Sequence, residues 1–238
     1  MTHDHAHHED YPFDTYMVVV AHPDDLEFSS AGTVAKLTDL GKKVILIQVT
    51  SGDRGTSDRT IKPEQIAAIR EEEEREAARR LGIAEVVFLR YPDGEVPHDV
   101  HLRGNITKMI RTYQPDVVIT HDAFRPYALH PDHRHVGLST TDAVYPCARD
   151  PWAYPEQIEA GLETWKVAEI WFFGAEHPDR YVDVTATFER KIEALKAHET
   201  QVGKSGDWVE RVAERMREVA RDKPFELAEA FKVVQLRR

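Results

Sequence analysis

The stretch Met17-Val18-Val19-Val20-Ala21-His22-Pro23-Asp24-Asp25-Leu26-Glu27 passes from an unbroken apolar run straight into one imidazole and three carboxylates. A short β-branched run halted by proline reads as a strand buried on both faces, with sheet pairing ending at Pro23. In open α/β sheets ligands gather just beyond the carboxyl ends of the strands. His22, Asp24 and Asp25 therefore stand where such a fold keeps its chemistry. A polar turn capping the next helix would need only one capping Asp. A His with two carboxylates suits a metal and a base.

Working outward, Glu27 to Leu40 is predicted as a helix, with Val34, Leu37 and Leu40 at helical spacing and Gly41 as its stop. Lys43 to Val49 is the next strand. It delivers the loop Thr50-Ser51-Gly52-Asp53-Arg54-Gly55-Thr56-Ser57 to the same sheet edge as His22. Backbone donors and Arg54 can approach a ligand from such a loop, although a plain surface loop has the same composition. Pro63 to Leu81 reads as a helix with a largely solvated charge run, Arg70 to Glu76. Arg70 follows Ile66 by one turn, on the side expected to face the sheet. Glu85 to Leu89 and Val117 to Thr120 are further strands. Between them a helix ends at Tyr113, with Leu102, Ile106, Met109 and Ile110 at helical intervals. This β-α-β-α order predicts a single α/β domain, Rossmann-like, with a mostly parallel sheet flanked by helices and right-handed crossovers.

Composition narrows the function. With 41% hydrophobic residues, the 238-residue chain can bury a full core. Its 31 basic and 42 acidic residues give a formal charge of −11, which disfavours nucleic acid and anionic membranes as partners. Cys147 is the lone cysteine, so no intrachain disulfide can form and a metal must be held by nitrogen and oxygen. No signal peptide or membrane-spanning run is evident, so a cytoplasmic location is expected. Met1 to Asp14, with His3, His5, His7 and His8, is expected to be a disordered tail outside the site, leaving residues 15–238 as the domain.

The second polar cluster follows the fourth strand: His121-Asp122, then His130-Pro131-Asp132-His133-Arg134-His135. Proline after His130 suits a helix N-terminus, so His133 would project from the first turn toward the strand ends. A catalytic zinc site keeps three protein ligands and an open position. His22, Asp25 and His133 would supply two imidazoles and one carboxylate, with Asp24 beside them to accept a proton from water.

With these boxes, His22 to Glu27 and His130 to His133, the sequence resembles the LmbE-like or PIG-L family of zinc-dependent N-acetylglucosaminyl deacetylases. Arg70, Glu74, Ala77, Ala78, Leu81, Gly82 and Asp93-Gly94 extend the resemblance, which runs from about Met17 to His198-Glu199-Thr200-Gln201. It implies Zn²⁺ or another divalent transition metal on His22, Asp25 and His133, with Asp24 as general base. It implies that His130 stabilises or protonates the reacting centre, supported by Asp132, and that Arg70 contacts substrate. The implied substrate is an N-acetylated amino sugar or glycoconjugate, and the implied assembly a trimer or hexamer.

The rest of the chain is less explicit. Ala168 to Phe173, Arg180 to Val184 and Phe231 to Gln235 are strand candidates, and Thr187 to His198 a helix. His198 and Gln201 are spaced to face the site mouth together. The apolar stripe Val209, Val212, Met216, Val219 must be covered, and a homo-oligomer interface walling the entrance with the Trp152 to Trp165 loop is the expectation, against packing on its own sheet. Two rival functions need weighing: a metal-dependent phosphoesterase, and a metal- or sugar-binding protein without turnover. An intact Asp24 beside three ligands argues against the latter. No dinucleotide or P-loop glycine motif is present.

Overall fold

Successive residues of a strand face opposite sides of its sheet, and β1 (Thr15–Val20) uses both sides for core. Tyr16, Val18 and Val20 enter one apolar cluster, while Met17, Val19 and the following Ala21 enter another. The computed structural model describes residues 11–203 and 207–237. Among them the further strands are β2 (Lys43–Thr50), β3 (Glu85–Tyr91), β4 (Val117–His121), β5 (Glu169–Phe173), β6 (Arg180–Asp183) and β7 (Ala228–Gln235). They form one sheet in the order β3-β2-β1-β4-β5-β7-β6. The first five strands are mutually parallel, and β7 lies antiparallel between β5 and β6.

The helices are α1 (Asp25–Ser29), α2 (Ala31–Asp39), α3 (Pro63–Leu81), α4 (Val100–Tyr113), α5 (Pro131–Val144), α6 (Pro155–Glu159), α7 (Phe188–Leu195), α8 (Glu199–Val202) and α9 (Asp207–Val219). Helices α2, α3, α7 and α9 cover one face through Val34, Ala77, Ala194 and Met216. Helices α4 and α5 cover the other through Ile106 and Val136. The result is the expected α/β architecture. Strand order reverses between β1 and β4, which opens a crevice at their carboxyl ends. Both polar clusters emerge there.

Three local expectations change. The predicted helix from Glu27 to Leu40 is two helices, broken at Ser30, whose φ of −140° is not helical. A distant residue rewards the break: the buried Glu229 carboxylate on β7 accepts Gly32 N–H at 3.0 Å and Thr33 N–H at 2.7 Å, capping α2, and pairs with Lys191 at 2.8 Å. The packed chain reaches back to Tyr11, which is buried, with Phe13 against the same cluster, so the tail boundary at residue 14 moves outward. His3, His5, His7 and His8 lie outside the described residues.

The α9 stripe is the third change. Trp208 packs with Ile192 and Leu195 of α7, Val209 and Val212 border that cluster, and Met216 joins the main core. The stripe is thus packed largely within its own subunit, and the expectation that a partner must cover it loses its motive. Among the described residues, no helix is long and apolar enough to cross a membrane.

Candidate metal centre

His22-Pro23-Asp24-Asp25 forms a tight turn, closed by Asp25 N–H donating to the His22 carbonyl at 3.1 Å. Proline in the second position and φ of +105° at Asp24 in the third match a type II turn, which usually places glycine there. A non-glycine residue so held costs about 1–3 kcal/mol. The turn folds Asp25 back under His22, so that its Oδ2 accepts His22 N–H at 2.7 Å and lies 3.4 Å from Nδ1. His133, in the first turn of α5, completes the group. Its Nε2 is 3.2 Å from His22 Nδ1 and 3.2 Å from Asp25 Oδ1.

Tetrahedral zinc with bonds of about 2.0–2.1 Å separates its ligand atoms by about 3.3–3.4 Å, and these three edges match that spacing. The donor set fits as well. Asp132, fully buried, accepts Gly94 N–H at 2.7 Å and Val96 N–H at 3.2 Å, and lies 3.0 Å from His22 Nε2. Asp93 lies 3.3 Å from the same nitrogen. Two carboxylates fix the ring proton on Nε2 and leave the Nδ1 lone pair facing His133 and Asp25. Acceptors turned on one another in this way fit a cation.

Electrostatics agree. Burial opposes charge on His22, but Asp25 and Asp93 outweigh it and lift its pKa to about 11. Burial would raise Asp25, yet His121, His133 and His22 hold it well below the carboxylate range. In the metal-free centre His22 Nδ1 therefore carries the ring's second proton, whose place a bound cation would take. Asp24 is pushed up to about 7, chiefly by burial and then by the Asp25 charge.

His121 also reaches the centre, with Nε2 3.4 Å from Asp25 Oδ2 and its ring stacked on His133. That nitrogen accepts Ala21 N–H at 3.2 Å, so its lone pair is already engaged. His130 caps α5: its Nδ1 accepts Asp132 N–H at 3.2 Å, which leaves the ring proton on Nε2. Burial first, then His22 and His133, lower its pKa, so the ring is a neutral donor rather than an imidazolium.

Two expected substrate contacts are placed differently. Arg70 is 3% exposed; it donates to the carbonyls of Pro23 and Gly52 and lies 3.5 Å from Asp24 Oδ2. It holds the His22–Asp25 turn from behind. A Cβ at Gly52 or Gly55 would fall within its guanidinium, which accounts for the loop's glycines. Arg54 pairs with Glu95 on the surface. Asp132, expected to support His130, bears chiefly on His22.

A mixed cleft of about 870 Å³ opens over Asp25, His121, His130 and His133, lined further by Phe28, Tyr181 and the Arg215–Glu218 side of α9. The helix thus walls the cleft from within its own chain.

The family model described as GlcNAc-PI de-N-acetylase, PIG-L, matches residues 17–144, more than half of the chain. The chain belongs to the PIG-L family. Among relatives, it is 34% identical to a diacetylchitobiose deacetylase of Thermococcus kodakarensis, over 78% of this chain and 69% of that protein. It is 29% identical to a 1D-myo-inositol 2-acetamido-2-deoxy-alpha-D-glucopyranoside deacetylase of Mycobacteroides abscessus, covering 80% of this chain and 82% of that one. The solved N,N'-diacetylchitobiose deacetylase from Pyrococcus horikoshii, complexed with its inhibitor MPG, superposes with a TM-score of 0.91 at 29% identity. That match covers 96% of this chain and 86% of the other.

In this PIG-L chain, sequence reasoning named Asp93, His121, Glu27 and Glu74 without giving them a place at or beneath the centre, and placed His198 wrongly. His198 was expected at the site mouth with Gln201. It is fully buried against Glu27, whereas Gln201 donates to the Gly55 carbonyl. The tautomer argument gives an expected result: Asp132→Asn, which weakens the hold on His22 Nε2–H, should lower metal affinity about 10–100-fold. Competition with a chromophoric chelator measures it, and unchanged affinity would remove Asp132 from the centre.

Proposed function

We propose that this PIG-L chain is a zinc-dependent N-deacetylase acting on an N-acetylglucosamine-type amino sugar or conjugate and releasing acetate. The observation that carries this reading is the convergence of His22 Nδ1, Asp25 and His133 Nε2 beside Asp24 in the cleft. The relatives reported above are themselves named deacetylases of N-acetylated sugars, which favours this reading over the phosphoesterase. Bound there, zinc or another divalent transition ion would polarise the acetyl carbonyl and lower the pKa of water.

The chain's own groups supply the rest. Asp24 takes a proton from water as its oxygen bonds to the acetyl carbon, with a pKa near the working range of a general base. His130 Nε2–H donates to the carbonyl oxygen as negative charge develops. The C–N bond then breaks as the nitrogen takes from Asp24 the proton that came from water, and acetate and a free amine leave. Phe28 and Tyr181 offer apolar faces, and Arg215 and Glu218 polar edges, a mixture suited to a sugar ring.

A cytoplasmic location rests on the lone Cys147, a usage typical of reducing compartments. A homo-oligomer, trimeric or hexameric, rests on the family resemblance, since the α9 stripe is packed largely within the subunit. The test is acetate release from a panel of N-acetylglucosamine conjugates, including N,N'-diacetylchitobiose, by zinc-loaded and zinc-stripped protein. Metal-dependent release is expected. A zinc-loaded protein that hydrolyses p-nitrophenyl phosphate but none of the amides would replace this reading with the phosphoesterase.

A further inference from the structure

Directly beneath the catalytic turn lie three ionisable side chains with no exposure: Glu27 of α1, Glu74 of α3 and His198 at the start of α8. Their polar atoms fall within 4.8 Å of one another, and His198 Nε2 is 3.4 Å from Glu27 Oε2. Both Glu27 oxygens, Glu74 Oε1 and both His198 nitrogens lack a hydrogen-bond partner. A fold that needed only stability would do as well with apolar side chains here, because buried ionic groups rarely repay their desolvation.

One contact leads out of the cluster. Glu74 Oε2 accepts Asp24 N–H at 3.3 Å. Four residues earlier on α3, and so on the same helix face, Arg70 grips the Pro23 carbonyl and the Asp24 carboxylate. The helix therefore holds the turn at two points around a residue whose φ of +105° must be imposed by its surroundings. Glu27 and His198 pack against Glu74 from the far side.

We propose that Glu74, braced by Glu27 and His198, is a positioning residue that fixes Asp24 in the left-handed turn and aims its carboxylate at the reacting centre. This rests on reading Asp24 as the base. The test is a comparison of Glu74→Leu and Glu74→Gln, alone and with Asp24→Asn, on N,N'-diacetylchitobiose. Glu74→Leu swaps a buried carboxylate for an apolar group of similar size but leaves Asp24 N–H without its acceptor, so it should fold with a lower melting temperature than the wild type. Its kcat should fall about 10–100-fold with KM within about twofold and one metal per chain. Glu74→Gln keeps an oxygen for Asp24 N–H and should stay within about threefold of wild type. In the Asp24→Asn background, Glu74→Leu should cost less than about twofold, since its effect runs through Asp24.

Full kcat in a folded Glu74→Leu, equal losses in the Leu and Gln variants, or losses that multiply with Asp24→Asn would overturn the proposal. So would two metal ions per chain, one of them lost in His198→Ala, which would make the cluster a metal site. Asp24→Asn alone running at the wild-type rate would withdraw the base reading itself, whatever Glu74 does. Should Glu74→Leu not fold, Glu27→Gln takes its place: a kcat loss of about fivefold or more at unchanged KM is expected, and full kcat overturns.

Discussion

Asp24→Asn should keep its metal, keep its fold and lose about 10²–10⁴ of its turnover, the usual range for removing a general base. Asparagine tolerates positive φ, so the type II turn survives. The amide cannot take a proton from water. Stability should not suffer, and the sign follows from the direction of the shift. Burial and the Asp25 charge lift Asp24 from 3.8 to about 7, so the folded chain binds this proton more tightly than the unfolded one. In the metal-free protein the group therefore opposes folding progressively as pH rises from about 4 through 7. Replacing it removes that opposition, and at pH 8 metal-free Asp24→Asn should melt no lower than metal-free wild type. A variant that loses stability and metal together would show that Asp24 is structural. Near-normal steady-state rates would remove it from the chemistry.

His133→Ala should lose both metal and turnover. The ring supplies one of three corners of the ligand face, with Nε2 at 3.2 Å from each of its two partners, and two remaining ligands make a poor site. Loss of an ion that stabilises developing charge by several kcal/mol corresponds to about a 10³-fold or larger fall in rate. Elemental analysis should find about one ion per chain in the wild type and well under half in the variant. Retention of the full complement, together with its loss on deleting residues 1–10, would move the site to the N-terminal histidines.

What the sequence revealed depended on whether its signals were local. The β1 run and the His22–Asp25 turn are contiguous, so strand, turn and two of the three proposed ligands were legible together. Pro131 after His130 gave the start of α5 and hence the placing of His133. The break at Ser30 was not legible, because the carboxylate that rewards it, Glu229, stands far along the chain on β7. Asp93 and His121 were visible as residues, but their convergence on the His22–Asp25 turn was not. That convergence depends on the sheet order, which brings β1 beside β4 and the Tyr91–Gly94 loop over His22. Arg70 was placed on the correct face of α3, but its reach through Gly52 and Gly55 to the back of the turn required the packed loop. The α9 stripe was read correctly as a face needing a cover. Choosing between a partner and α7 lay beyond periodicity, which records only that a face is apolar.

The central claim is tested most directly by anomalous diffraction at the zinc absorption edge from crystals of zinc-loaded protein. The account requires one strong peak in contact with His22 Nδ1, an Asp25 oxygen and His133 Nε2, with the His22 Nε2–H held by Asp132 on the opposite side. A peak bound by His121 in place of His22, or density confined to Glu27, Glu74 and His198, would contradict it.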